Sequence, residues 1–94
     1  MKTIYKYTLD ITQDEPHVLT MPTGAEIIHV QDQYGADQVM LWAVVDTGRE
    51  SCERRFDIFG TGDQMPEDAL HHEHIGSTVT ASGSLVWHVF ERIG

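Results

Sequence analysis

Residues 38–46 read QVMLWAVVD, and how this stretch is read decides the fold. Val39 to Val45 are apolar without a break, rich in β-branched and aromatic types, and too short a run for an ordinary helix. A continuous apolar run of this length suits a strand covered on both faces. The expectation is a central strand with Trp42 substantially buried, and the rest of the chain has to supply its cover.

Working outward, TIYKYTLDI (3–11) alternates, with Tyr5, Tyr7, Leu9 and Ile11 on one face and Lys6, Thr8 and Asp10 on the other. That is the period of a half-buried strand. TQDEP (12–16) is turn chemistry, and HVLTM (17–21) is a short extended run closed by Pro22, Thr23 and Gly24, so the two strands suggest a first hairpin. AEIIHVQ (25–31) reaches the central strand through DQYGADQ (32–38), where Gly35 and Asp37 suit a turn. After DTGRE (46–50), SCERRFDIFG (51–60) sets Arg54, Phe56 and Ile58 against Arg55, Asp57 and Phe59. STVTA, SGS and LVWHVFERI (77–93) read as a closing hairpin. The sum is an all-β single domain spanning residues 1–94, an antiparallel sandwich or partly open barrel of about seven strands, with at most one short helical turn near Pro66 to His72.

Charge narrows the function. Fifteen acids against six Lys and Arg give a formal charge of −9, and no basic residue falls between Lys6 and Arg49 or between Arg55 and Arg92. Such a surface repels phosphate backbones, so nucleic acid is not an expected partner. No apolar run approaches the roughly 18 residues of a membrane span, and MKTIYKYTLD turns polar too soon for a signal peptide. A soluble intracellular protein is expected. Cys52 stands alone, which rules out an internal disulfide and a cysteine-based zinc cage within one chain.

GTGDQMPEDALHHEHIG (60–76) looks most like a site. Gly60-Thr61-Gly62 could expose amides to an anion, but Asp63, Glu67 and Asp68 follow and oppose one, which favours a strand-ending turn. His71, His72 and His74, with Glu73 and Asp68, have the chemistry of metal ligands, yet adjacent histidines point in different directions on any regular element. The stretch reads as a connection carrying an exposed histidine cluster, with no metal and no cofactor expected. His29 and His88 read as core-edge histidines. Ser82, Ser84 and Cys52 carry no nucleophile–base signature, so the chain is not expected to be an enzyme. Trp42, Trp87, Tyr5, Tyr7 and Phe90 serve the core, although aromatics beside Arg54 and Arg55 would also suit a binding surface.

TIYKYTLDIT, MPTGAEIIHVQ, LWAVVD, FDIFGTG and LVWHVFE, in that order and near those spacings, resemble a family of short proteins of unknown function encoded by bacteriophages and prophages. The likeness runs from Lys2 to Arg92 in strand-and-turn patterns, and what it implies is an origin and a bacterial cytoplasmic setting. It implies no mechanism.

Two functions compete. In the favoured one, a small acidic phage or prophage accessory protein binds a host protein without catalysis, as an anti-defence inhibitor would, using Asp63, Glu67 and Asp68 against a basic surface. In the other, Arg49, Arg54 and Arg55 capture an anionic small molecule such as a signalling nucleotide. Exposed sheet edges offer a homodimer as a further partner, with the monomer as the alternative.

Overall fold

The computed structural model describes residues 1–32, 38–67, 72–80, 83 and 85–93. Seven strands follow one another: β1 (Lys2–Asp10), β2 (His17–Pro22), β3 (Glu26–Asp32), β4 (Gln38–Asp46), β5 (Ser51–Gly60), β6 (His72–Val79) and β7 (Val86–Arg92). They form two antiparallel sheets packed as a small sandwich, one ordered β1-β4-β3 and the other β2-β5-β7-β6.

β4 is central in the three-stranded sheet, as its apolar run requires. Val39, Leu41, Ala43 and Val45 point inward and are fully buried, facing Phe56 and Val89 of the other sheet. Its second face differs from expectation. Met40 is buried, but Trp42 and Val44 are only half-covered, because among the described residues no second layer lies on that side. Trp42 is sheltered instead by its neighbours in the sheet, with the His29 ring 5.5 Å away and Lys6 opposite. A continuous apolar run here means a strand buried on one face and shielded edgewise on the other.

The expected first hairpin does not form. β1 pairs with β4 and β2 with β5, so the chain crosses between sheets at residues 11–16. The crossing is built from local hydrogen bonds: the Asp10 carboxylate accepts from the Thr12 amide at 2.9 Å and its hydroxyl at 2.6 Å, and the Asp10 carbonyl accepts from the Gln13 amide at 3.1 Å. An Asx turn of this kind redirects the chain before a two-strand pairing can begin. The closing hairpin, by contrast, is present as β6 and β7.

The two sheets meet where β3 runs beside β6. The Asp32 amide donates to Thr78 Oγ1 at 2.8 Å, and Gly76 sits directly beneath Val30. A β-carbon at Gly76 would lie 2.7 Å from Val30 Cγ2, so only glycine permits this approach. β6 carries an irregularity between His74 and Gly76 at that point. Gly76→Ala should therefore cost about 1–3 kcal/mol by overpacking, read as a lower denaturant midpoint. Val30→Ala in the same chain should return part of that loss, whereas a neutral Gly76→Ala would show that the sheets do not close here.

Candidate functional site

Strand alternation gathers chemistry on the outer face of the four-stranded sheet. Asp57 and Phe59 of β5, His88, Phe90 and Arg92 of β7, and His72, His74 and Ser77 of β6 lie there, in the rows Asp57–Phe90–His74, Phe59–His88–Ser77 and His72–Arg92. The quoted stretch 60–76 is thus not all connection. β5 ends at Gly60 and β6 starts at His72, so the histidine run enters a strand.

Asp57 is the anchor of this face. It is an acid only 2% exposed between the apolar residues Phe56 and Ile58. Burying a carboxylate is costly unless it is paired and hydrogen-bonded. Here Arg92 donates Nε–H and Nη2–H to the two carboxylate oxygens at 2.7 and 3.0 Å, and His72 Nε2–H donates at 2.7 Å. Burial works to raise the Asp57 carboxyl, but the hydrogen bonds from Arg92 and His72 and the Arg92 charge together outweigh it and hold the group below the ordinary carboxylate range. His72, expected as part of an exposed cluster, has a side chain 4% exposed, and its Nδ1 is buried without a hydrogen-bond partner.

Glu15 borders this anchor from the crossing loop. Its Oε1 accepts the Ile58 amide at 3.0 Å, satisfying an N–H that β2 leaves open by starting at His17 opposite Phe56. Its Oε2 lies 2.8 Å from Nδ1 of buried His17, whose Nε2–H donates to the Asp10 carbonyl at 2.6 Å. Because a carbonyl only accepts, Nε2 carries a proton, and a second proton is shared between Nδ1 and Glu15. Burial pushes the Glu15 carboxyl above its ordinary value despite the Ile58 amide and His17.

The exposed half of the face is softer. Phe59 and Phe90 meet edge to face at 5.8 Å, and His74 leans on Phe90 at 5.1 Å. Ser77 Oγ lies 3.0 Å from His74 Nε2 and 2.7 Å from His88 Nδ1, and His88 Nε2 lies 2.8 Å from Thr61 Oγ1. Thr61 of the Gly-Thr-Gly turn and His74 of the histidine run are therefore joined through His88, a histidine with both ring nitrogens engaged, as a core-edge role requires. In the turn itself the Asp63 carboxylate accepts the Gly60 amide at 2.7 Å, occupying a donor that a phosphate would have used.

The residues singled out in the sequence scatter. Arg54 turns inward, where Nε and Nη2 donate to Glu91 at 2.6 and 2.7 Å and Nη1 donates to the Ala25 carbonyl at 2.6 Å. Arg55 points outward and is exposed, 3.9 Å from Glu53. Arg49 is exposed in the β4–β5 turn beside Gly24. The three arginines thus do not converge. Asp63 and Glu67 are exposed on the connection after β5, while Asp68, His71, Ser82 and Ser84 lie outside the described residues. Cys52 is a half-buried free thiol. Among the described residues, no three His, Cys, Asp or Glu side chains are placed to hold a metal ion, and no helix is long and apolar enough to cross a membrane.

Sequence reasoning missed Asp57, Arg92, Glu15 and Ser77, and took His72 for an exposed residue. The signal was available for Asp57, an acid between two aromatic or branched residues of a core strand, which demands a partner. Its low carboxyl contributes stability in full above about pH 3.9, the unfolded-chain value, and loses it as pH falls through the lower folded value. The raised Glu15 runs the other way: its contribution is complete below the ordinary glutamate range and is lost as pH rises through the raised value. Asp57→Asn should cost about 1–3 kcal/mol near neutral pH, because half-exposed Arg92 and buried His72 lose a charged hydrogen-bond acceptor. Denaturant midpoints followed against pH should show the wild type losing stability below about pH 3.9 and the variant lacking that acid limb.

A search of the curated proteins and of the solved structures found no match for this chain. A family match covers residues 1–94, with the description "Domain of unknown function (DUF7352)". All seven strands and both halves of the outer face fall within it, and the chain belongs to this family.

Proposed function

We propose that the protein is a small acidic accessory protein of phage or prophage origin that acts by non-catalytic binding to a host protein in the bacterial cytoplasm, in the manner of an anti-defence inhibitor. One observation carries the reading: two of the five Lys and Arg side chains on the strands are engaged by acids within the four-stranded sheet, while several acids are left outside. Arg54 is taken up by Glu91, and Arg92 by Asp57. Glu53, Asp63 and Glu67 remain exposed around or beside the outer face of the four-stranded sheet.

That face also offers an apolar anchor in Phe59, Phe90 and His74, rimmed by charge, which is the arrangement of a protein-binding patch. Acids at the rim steer a basic partner and set the association rate. Capture of a signalling nucleotide would need arginine forks free and convergent, and the Arg54 fork is already filled by Glu91 and Ala25. The resemblance of the strand-and-turn pattern to phage and prophage proteins supplies the setting.

Affinity capture from a bacterial host lysate, followed by native mass spectrometry and calorimetry with the recovered partner, tests this. The expected partner is a protein with a basic surface. Asp63→Lys combined with Glu67→Lys should slow association and flatten its salt dependence, while Arg49→Ala and Arg55→Ala should bind as the wild type does. Recovery of an anionic metabolite whose binding weakens by about 1.5–3 kcal/mol on removal of Arg49 or Arg55 would contradict the proposal.

A further inference from the structure

Unpaired N–H and C=O groups along a sheet edge invite another strand, and folded proteins close or guard such edges. Two sheets give four edge strands, β1, β3, β2 and β6. β3 and β6 lie against one another through Asp32, Thr78 and the Val30–Gly76 contact. β2 is short, preceded by Pro16 and ending on Pro22, and proline has no N–H to offer.

β1 is different. It runs nine residues without proline or irregularity, and among the described residues only β4 flanks it in its sheet. The Thr47 amide donates to the Met1 carbonyl, directly opposite in the register. Antiparallel alternation then turns the backbone groups of Thr3, Tyr5, Tyr7 and Leu9 toward β4 and those of Lys2, Ile4, Lys6, Thr8 and Asp10 to the open side. The Asp10 carbonyl is already taken by Gln13 and His17, so the open stretch is Lys2 to Thr8. Its middle carries Ile4, 56% exposed, and Tyr5, 42% exposed.

We propose that β1 pairs antiparallel with β1 of a second copy of this chain, centred on Tyr5, so that the two three-stranded sheets become one sheet of six. The open stretch is self-complementary about Tyr5. Lys2 then faces the partner's Thr8, Ile4 faces the partner's Lys6, and the two Tyr5 rings face each other as a cross-strand aromatic pair. No lysine stands opposite a lysine. On the diagonals Lys2 meets both the partner's Asp10 and the partner's Lys6, each twice per dimer, and Lys6 meets Lys6 once. Shifting the centre to Lys6 would set the two Lys6 side chains directly opposite and would need the occupied Asp10 carbonyl, so that register is excluded. Lys2 and Lys6 are the only lysines of the chain, and both sit on this edge.

This inference is independent of the docking face proposed above, which lies on the other sheet. Sedimentation equilibrium on the full chain should give a concentration-dependent dimer. Ile4→Pro removes an N–H that points to the open side and leaves the β4 ladder intact, so it should be monomeric with an unchanged far-UV spectrum and unfolding midpoint. Tyr5→Cys in a Cys52→Ser background gives a second readout, since facing Cα atoms at a non-hydrogen-bonded pair stand about 4.5 Å apart, within disulfide reach. Mild oxidation should convert that variant almost wholly to covalent dimer, and Thr3→Cys or Tyr7→Cys alone should not cross-link. A monomer at every concentration, a folded Ile4→Pro variant that still dimerises, or a dimer that Tyr5→Cys fails to cross-link would overturn the proposal. So would a monomer that instead binds the synthetic strand Thr-Glu-Thr-Val-Thr-Glu-Thr, which would assign the edge to an acidic segment of another protein.

Discussion

A single buried carboxylate governs how the four-stranded sheet is put together. Asp57 sits in β5 with Phe56 and Ile58 on either side, and without partners it would oppose burial of the strand that brings those two side chains to the core. Arg92 on β7 and His72 on β6 converge on it, so the charge that would expel β5 from the interior becomes the point at which three strands are fixed in register. Breaking one partner of such a set leaves the others stranded, which is why a buried ion group specifies an arrangement more strongly than it stabilises it. Glu15 extends the same logic into the crossing loop by answering the Ile58 amide and meeting His17.

A second, half-buried pair does for the inner side of the sheet what Asp57 does for the outer face. Arg54 reaches from β5 to Glu91 on β7 and to the Ala25 carbonyl ahead of β3, tying the four-stranded sheet to the start of the other. Two of the six Lys and Arg side chains are thus engaged by acids within the four-stranded sheet. The outward character of the protein follows from its inward wiring: a strongly acidic skin, a small aromatic and histidine patch on one sheet face, and lysines confined to one edge of the other. Binding to another protein through complementary charge is the function we propose for such a surface.

Much of this was legible in the residues. The apolar run at Val39–Val45, the alternation in β1 and the turn chemistry before β5 lead to seven strands, because strand periodicity and turns are local properties. Pairing is not local. Nothing in residues 3–21 tells that β1 prefers β4 and β2 prefers β5, since the choice depends on which faces find cover some 35 residues away. Trp42 was misjudged for a related reason: a run of apolar residues does not reveal whether its second face meets another layer or only its in-sheet neighbours. His72 and His74 looked alike in sequence, and two residues of strand suffice to send one to a buried carboxylate and leave the other on an exposed phenylalanine. Asp68 and His71 lie outside the described residues, so that part of the expected acidic and histidine cluster has no place in this account.

Asp57 is an arginine-clamped anchor whose carboxyl is held low while that of neighbouring Glu15 is pushed up by burial, and side-chain carboxyl NMR tests both directly. A carbon-13 titration of the folded wild type should show the Asp57 carboxyl changing state below the ordinary aspartate range and the Glu15 carboxyl above the ordinary glutamate range. An Asp57 carboxyl that titrates at or above the ordinary value while the protein stays folded would contradict the clamp, and with it the account of how the sheet is held.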